Sequence, residues 1–282
     1  MTVHALLIPN TGWPELLARA RRLEDMGVAT VWVDDHALNP AHLEQPWLDA
    51  WSVLPALAAA TTSVHLGPLV ANGLLRSPAM LARHALSVDH ISGGRLELGL
   101  GAGYATGDHA VAGRPAAPFA ELVATVDSAL RGRAVVDGLP PLAPVARRVP
   151  LTVAAHGPRA LRVAAEYADR WVSYGGFGLA TADHLALTRR RVEALAGATA
   201  SRMLLAGSPA VTAEPIWRSV GAAEDFAGRY REIGIDEFTF YYPPGPMWHD
   251  PAADRVFEDY VTGSAPATTR PAQVRPAAPG SP

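Results

Sequence analysis

Short apolar segments recur along this chain with a helical pattern after each one, and no other feature restricts the fold as much. Strand-like segments fall at residues 4–9, 28–33, 65–70, 96–100, 151–155, 171–174, 203–206 and 237–242. Helical patterns follow them, with apolar residues three and four positions apart. Residues 14–25 place Leu16, Ala20 and Leu23 on one face, and the Ser77-Pro78 cap opens a helix that turns Leu81, Ala85 and Val88 inward. The remaining helices are read at 49–61, 119–130, 157–167, 181–196, 222–232 and 252–261. Eight strands alternating with eight helices predict an α/β fold of the (β/α)8 TIM-barrel class, with a doubly wound sheet as the alternative. The echo between LEDMGVATVWV from Leu23 and YREIGIDEFTF from Tyr230, each a helix, a glycine and a strand, supports a repeated unit. Residues 1–262 are expected to form a single barrel domain. Residues 263–282, with five prolines among small and polar residues, are expected to form a disordered Pro/Ala-rich tail.

Within this alternation the stretch ISGGRLELGLGAGY from Ile91 stands out. It reads as a helix end, a Gly93-Gly94 turn, a strand with Leu96, Leu98 and Leu100 alternating, and a loop of small residues. Gly99, Gly101 and Gly103 leave the backbone bare at the strand's C-terminal end, where a flat or anionic group can lie directly against it. Spacing alone is equally consistent with a close-packed barrel strand and an exposed turn. A Rossmann glycine loop would open directly into an apolar helix, whereas this one runs into ATGDHAVAGRPAAP.

Composition removes several chemistries. The chain has no cysteine, so disulfides, thiolate metal sites and cysteine nucleophiles are excluded. All 24 basic residues are arginine, which excludes the usual lysine Schiff-base enzymes and P-loop hydrolases. A net charge of -3 without a basic run gives no reason to expect nucleic acid or an anionic membrane as a partner. No leader pattern or membrane-length apolar run is visible, so a cytoplasmic location is expected. Motifs of the common hydrolases are absent.

In a (β/α)8 barrel the C-terminal ends of the strands form the active face. Four of those ends carry unusual residues: Asp35-His36, Leu69 to Asn72, Gly101 to Tyr104, and Ala155 to Pro158. The last opens a helix, whose free amides suit a phosphate, with Arg159 and Arg162 in its first turn. His36, beside Asp35, is the candidate proton-transfer residue, with Asp35 expected to fix its tautomer. The other histidines show no metal-ligand spacing next to a carboxylate, so no metal site is expected. Arg95 and Glu97 are expected to form a structural ion pair, and Trp13, Trp47, Tyr104, Phe177 and Trp248 are the aromatic candidates for a pocket wall.

The segments VWVDDH at 31–36, LGPLVANGLLRSPAMLARHALSVDHISGGRLELGLGAGY at 66–104 and AAHGPRALRVAAEYADRW at 154–171 resemble the luciferase-like monooxygenase superfamily. Within it the likeness is to the deazaflavin (coenzyme F420)-dependent oxidoreductases, and it spreads across most of residues 1–242. The resemblance implies a luciferase-like barrel with the cofactor across its C-terminal face, an oxidoreductase acting on a small-molecule substrate, and a homodimer. By position, Asp35 and His36 would touch the ring and its substrate side, and the Leu69-Val70 bond would be the non-prolyl cis peptide behind the ring. Ala71, Gly101, Ala102 and Gly103 would line the cofactor. Ala155, His156, Gly157, Pro158 and Arg159 would hold its phosphate. Tyr104 stands where some deazaflavin enzymes have an acidic residue, a departure that counts against proton donation from that position; Tyr104 is kept among the catalytic candidates for the case that His36 does not carry the proton. An FMN-dependent two-component monooxygenase and a catalytically silent flavin-binding barrel are the rival readings.

Overall fold

The computed structural model of the chain describes residues 2–40, 42–103, 105–113, 115–142, 147–174, 179–207, 214–244 and 250–264. Nine parallel strands form one sheet: β1 (Thr2–Leu7), β2 (Thr30–Val33), β3 (His65–Pro68), β4 (Ala71–Asn72), β5 (Leu98–Gly101), β6 (Leu151–Ala154), β7 (Arg170–Tyr174), β8 (Ser201–Ala206) and β9 (Glu237–Tyr242). Their order is β3-β2-β1-β9-β8-β7-β6-β5-β4. The two ends of that series, β3 and β4, are consecutive in sequence: the strand expected at residues 65–70 stops at Pro68, and β4 resumes just past its expected end, after the cis Leu69-Val70 peptide. Leu66 of β3 also bridges to Leu96, with Leu66 N–H donating to Arg95 O at 3.1 Å and Glu97 N–H donating to Leu66 O at 2.9 Å. The sheet therefore comes round on itself as an eight-stranded barrel, and the doubly wound alternative is set aside.

Closure at this seam depends on glycine. A Cβ at Gly67 would lie 1.8 Å from the Glu97 carbonyl oxygen, and one at Gly99 would lie 2.3 Å from the Pro68 carbonyl oxygen. Only bare backbone on both strands allows them to approach this closely.

Helices α1 (Trp13–Asp25), α2 (Ala50–Ala60), α3 (Pro78–Ile91), α5 (Phe119–Leu130), α6 (Pro158–Tyr167), α7 (Thr181–Leu195), α8 (Val220–Glu232) and α9 (Pro251–Ser264) correspond to the eight expected. An additional short helix, α4 (Thr106–Ala112), follows β5 where the sequence shows no apolar periodicity. No described helix is long and apolar enough to cross a membrane.

The period-two alternation of the strands sorts the core into two layers. In β1, Ala5 and Leu7 pack outward against the helices while Leu6 and the following Ile8 face the barrel interior. Val31 and Val33 flank an inward Trp32 in β2, and Met203 and Leu205 of β8 point inward beside Val172 of β7. Phe238 and Phe240 of β9 join the outer layer with Phe226 and Tyr260, all four side chains being fully buried.

A charge network occupies the N-terminal end of the barrel. Arg170 Nε donates to Glu237 Oε2 at 2.6 Å and its Nη1 donates to Glu97, while His4 Nε2 lies 3.0 Å from Glu237 Oε2 and His65 Nδ1 3.2 Å from Glu97 Oε1. Burial works against ionisation of the two carboxyls. His65 and Arg170 on Glu97, and His4 and Arg170 on Glu237, overcome it and hold both groups at about 2. The expected Arg95–Glu97 pair is not formed. Arg95 instead donates to the carbonyls of Ala58 in the last turn of α2 and of Thr61 and Val64 in the segment that follows, where the helix end leaves acceptors without intrahelical donors.

Candidate active site

At the C-terminal ends of the strands lies a cavity of about 290 Å³. Its wall is largely apolar, with Leu6, Val172, Leu205 and Phe119 joined by Tyr174 and Tyr241. Of the residues picked out from sequence, Asp35, His36, Leu69, Val70, Gly101, Ala102, Gly103, His156 and Gly157 line it, as do Asp34 and Asn72. Ala71 and Ala155 are buried behind the wall. Pro158 and Arg159 border a separate surface depression with Gly157, Ala160 and Arg162. Trp47 presents an edge to the His36 ring at 6.1 Å, whereas Trp13 is on the surface. Tyr104, Phe177 and Trp248 lie outside the described residues.

The division of β3 from β4 brings the Leu69 and Val70 side chains to the cavity. Gly101 makes room for this: a Cβ there would sit 2.3 Å from Val70 Cγ2. At Gly103 the backbone adopts φ +82°, and a Cβ would lie 2.3 Å from Asn72 Oδ1. Both glycines therefore hold the cavity open through contacts with the strand beside them, in addition to baring their own backbone.

The acidic residues around His36 are arranged differently from the sequence expectation. Asp35 does not orient His36. Its carboxylate takes Arg76 Nη1 at 2.9–3.0 Å and the Asn72 N–H at 3.0 Å. Burial raises the Asp35 pKa, and the Arg76 charge and the Asn72 amide oppose that shift. The carboxylate that orients His36 belongs to Asp108 of α4, whose Oδ2 accepts from His36 Nδ1 at 2.6 Å. Asp108 also accepts from Ala37 N–H at 2.7 Å and from Asn72 Nδ2 at 2.7 Å. Burial alone would raise its pKa, but these three donors lower it. Sequence reasoning missed Asp108 because α4 lacks a helical apolar pattern and its partner is 72 positions away.

On the other side of the ring, His36 Nε2 is 3.6 Å from Asp34 Oδ1. Burial pulls the imidazole pKa down, but Asp34 and then Asp108 raise it to about 9. The Asp34 carboxyl is pushed up by burial to about 6, with the His36 charge acting against the rise. The second cavity histidine differs. His156 Nε2 accepts from Tyr174 N–H at 3.3 Å, and burial, reinforced by the Arg191 charge, takes its pKa down to about 4. One histidine is thus held as an acid and the other as a neutral ring.

Gly157 caps α6, with Pro158 at its first turn. A Cβ at Gly157 would meet nothing within 4 Å, so the space beside these free amides is open to a ligand group. The donors and space that an anionic tail needs are present, next to a cavity with an apolar floor and two bare glycines. These features fit a flat ring carrying a phosphate. Among the described residues no cluster suited to a metal ion is found.

Residues 2–215 match the luciferase-like monooxygenase family model. The chain is 35% identical over 120 residues to an F420-dependent glucose-6-phosphate dehydrogenase of Amycolatopsis mediterranei, covering 42% of this chain and 35% of that one. It is 31% identical over 179 residues to a 5,10-methylenetetrahydromethanopterin reductase of Methanolobus tindarius, covering 60% of this chain and 52% of that one. The matches thus span between about a third and about a half of these relatives' own length. Among solved structures, an F420-dependent secondary alcohol dehydrogenase bound to an F420-acetone adduct superposes with a TM-score of 0.71 at 16% identity, covering 92% of this chain and 97% of that one. That likeness is one of fold.

Proposed function

We propose, for a chain that belongs to the luciferase-like monooxygenase family, that it is an oxidoreductase using coenzyme F420 to exchange a hydride with a small organic substrate. The observation that carries the reading is the cavity floor, where Leu69 and Val70 line the cavity and the Val70 side chain lies against the bare Gly101. The F420-dependent glucose-6-phosphate dehydrogenase among the relatives supports the choice of deazaflavin over FMN, whose ring shape would suit the same floor.

In this reading Leu69 and Val70 back the ring, Ala71 supports them from behind, and Gly101, Ala102 and Gly103 lie along it. The Ala155 to Arg159 segment holds the phosphate through the free amides at the start of α6 and the Arg159 guanidinium. When bound, the deazaflavin supplies or takes a hydride at its C5. The chain's own residues orient the substrate against that carbon and exclude water with the apolar wall. His36 holds or moves a proton at Nε2, the nitrogen not committed to Asp108. Asp35 acts by fixing Arg76 and the Asn72 backbone beside the site. Tyr104 remains part of the proposal as the alternative proton donor.

A single barrel domain over residues 1–262, a homodimer and a cytoplasmic location belong to the same proposal. Following the absorbance of reduced F420 while small ketones, imines and activated alkenes are supplied in turn tests the activity. Oxidation of F420 that depends on both protein and substrate is expected. Reduced FMN that consumes oxygen and oxygenates substrate in its place would assign the chain to the monooxygenases.

A further inference from the structure

The cavity and the surface depression at the start of α6 share a rim. Gly157 and Ala160 line both, and Pro158, Arg159 and Arg162 complete the depression. Its only charged side chains are two exposed guanidiniums. They stand three positions apart in the first two turns of α6, so they share a helix face, and long helical side chains lean back toward the N-terminus. Both arginines are thereby directed toward the open space at Gly157, where an added Cβ would meet nothing within 4 Å.

The chain supplies this pair with no counter-charge. Among the described residues, which include every Asp and Glu of the sequence, no side-chain carboxylate lies within ion-pair distance of Arg159 or Arg162. Glu166, four positions after Arg162 where a helical ion pair could form, takes the Tyr167 hydroxyl instead. No acidic residue occupies the first turn of α6. Two cations beside the positive end of a helix dipole oppose that dipole and each other, a local conflict of the kind found where a ligand binds. A third cation stands behind the same corner. Arg191 Nη1 donates to Ser173 Oγ at 3.1 Å and to Tyr174 O at 3.3 Å, has no carboxylate partner among the described residues, and adds its charge to burial in keeping His156 neutral. The carboxylates of the cavity, Asp34 and Asp35, lie instead at the end of β2.

We propose that the α6 depression seats a second anionic group of the bound cofactor, a carboxylate carried beyond the phosphate, with Arg162 as its contact, and that Arg162 is a residue by which this chain distinguishes F420 from FMN. The inference rests on the deazaflavin reading above. FMN ends at its phosphate, whereas coenzyme F420 continues past its phosphate into a carboxylate-bearing side chain. The free amides at Gly157 and the Arg159 guanidinium suit the group the two cofactors share. Arg162, one turn further along the same face, has no role toward that shared group and is free to meet the group that only F420 carries.

The test compares F420 with the same deazaflavin cut back to its ribityl phosphate, each titrated by fluorescence into the full chain at low and high ionic strength. The parent is expected to bind F420 more tightly than the shortened form. Arg162→Gln should weaken F420 by about fivefold at low ionic strength, the upper end for an exposed ion pair, and Arg162→Glu by more, while neither changes the affinity for the shortened form. The loss should shrink in high salt, because the contact is exposed. Arg159→Gln, by contrast, should weaken both ligands. Thermal melts of the Arg162 variants should match the parent, as the side chain packs against nothing. F420 affinity untouched by both Arg162 variants, or an equal loss for F420 and the shortened form, overturns the inference and leaves the deazaflavin reading standing. A chain that binds neither deazaflavin overturns the reading and the inference with it.

Discussion

Asp108 Oδ2 lies 2.6 Å from His36 Nδ1, joining the short helix after β5 to the loop after β2 across 72 positions of sequence. The contact commits one ring nitrogen, Nδ1, to Asp108. It also ties the glycine-rich loop to the second strand end, because Asn72 donates to the same carboxylate oxygen and sits where a side chain at Gly103 would collide with it.

Replacing Asp108 with Asn therefore leaves the ring unanchored. Turnover is expected to fall by about 100-fold, the lower end of the acid–base range. Its pH profile should also shift toward acid, because a carboxylate that raises the imidazole pKa is gone. Asp108→Glu should recover part of the loss. Steady-state kinetics across pH, with KM separated from kcat, distinguish this from general loosening, which would leave the profile in place.

His36→Ala should keep the fold and much of the cofactor affinity while lowering turnover by about 100-fold or more. The single-turnover rate of hydride transfer is the measurement. A parent-like rate would reduce His36 to a packing residue and shift proton transfer to Tyr104, to the substrate or to water.

The glycines of the seam divide into two kinds. At Gly99 an added Cβ meets the Pro68 carbonyl oxygen at 2.3 Å, and backbone cannot move aside, so Gly99→Ala should disrupt barrel closure and lower the Tm steeply. At Gly101 it meets the Val70 methyl at the same distance, and a side chain can turn away. Gly101→Ala should therefore fold but displace Val70 into the cavity, weakening cofactor binding by about tenfold or more, on the order of 1.4 kcal/mol. Gly157→Leu should weaken binding as well while leaving the Tm near that of the parent. Thermal melts paired with fluorescence titrations separate the three.

The N-terminal charge network predicts how acid acts on the barrel. Glu97 and Glu237 are lowered from 4.5 to about 2, so the stability they contribute is complete above about pH 4.5 and is lost as pH falls toward 2. Glu97→Ala leaves Arg170 short of one buried partner, which typically costs about 3–5 kcal/mol. For a domain of this size that corresponds to roughly 6–20 °C in Tm at neutral pH. The difference from the parent should shrink in acid, as the parent loses the same interaction. Calorimetry between pH 7 and pH 3 reads both effects.

Period-two and period-3.6 patterns made the barrel legible because every strand buries one face on helices and the other in the barrel interior. The strand ends at Asp35-His36, Leu69-Val70 and Gly101 to Gly103 were legible for the same reason: parallel strands bring all their C-terminal ends to one face. The partner of His36 was not. Adjacency in sequence favoured Asp35, but side chains next to each other on an extended segment point apart, and Asp35 turned to Arg76. The Arg95–Glu97 expectation failed differently. Two residues apart on one strand share a face, yet each had a stronger claim nearby, helix-end carbonyls for Arg95 and the guanidinium of Arg170 for Glu97.

The most direct measurement of the central claim is a parallel titration of the purified full-length chain with F420 and with FMN, each in oxidised and reduced form, followed by fluorescence and calorimetry. F420 is expected to bind at one site per chain and at least about tenfold more tightly than FMN, a preference of about 1.4 kcal/mol, with binding weakened in Gly101→Ala and Gly157→Leu. Tighter binding of FMN, or no binding of either, would contradict the account.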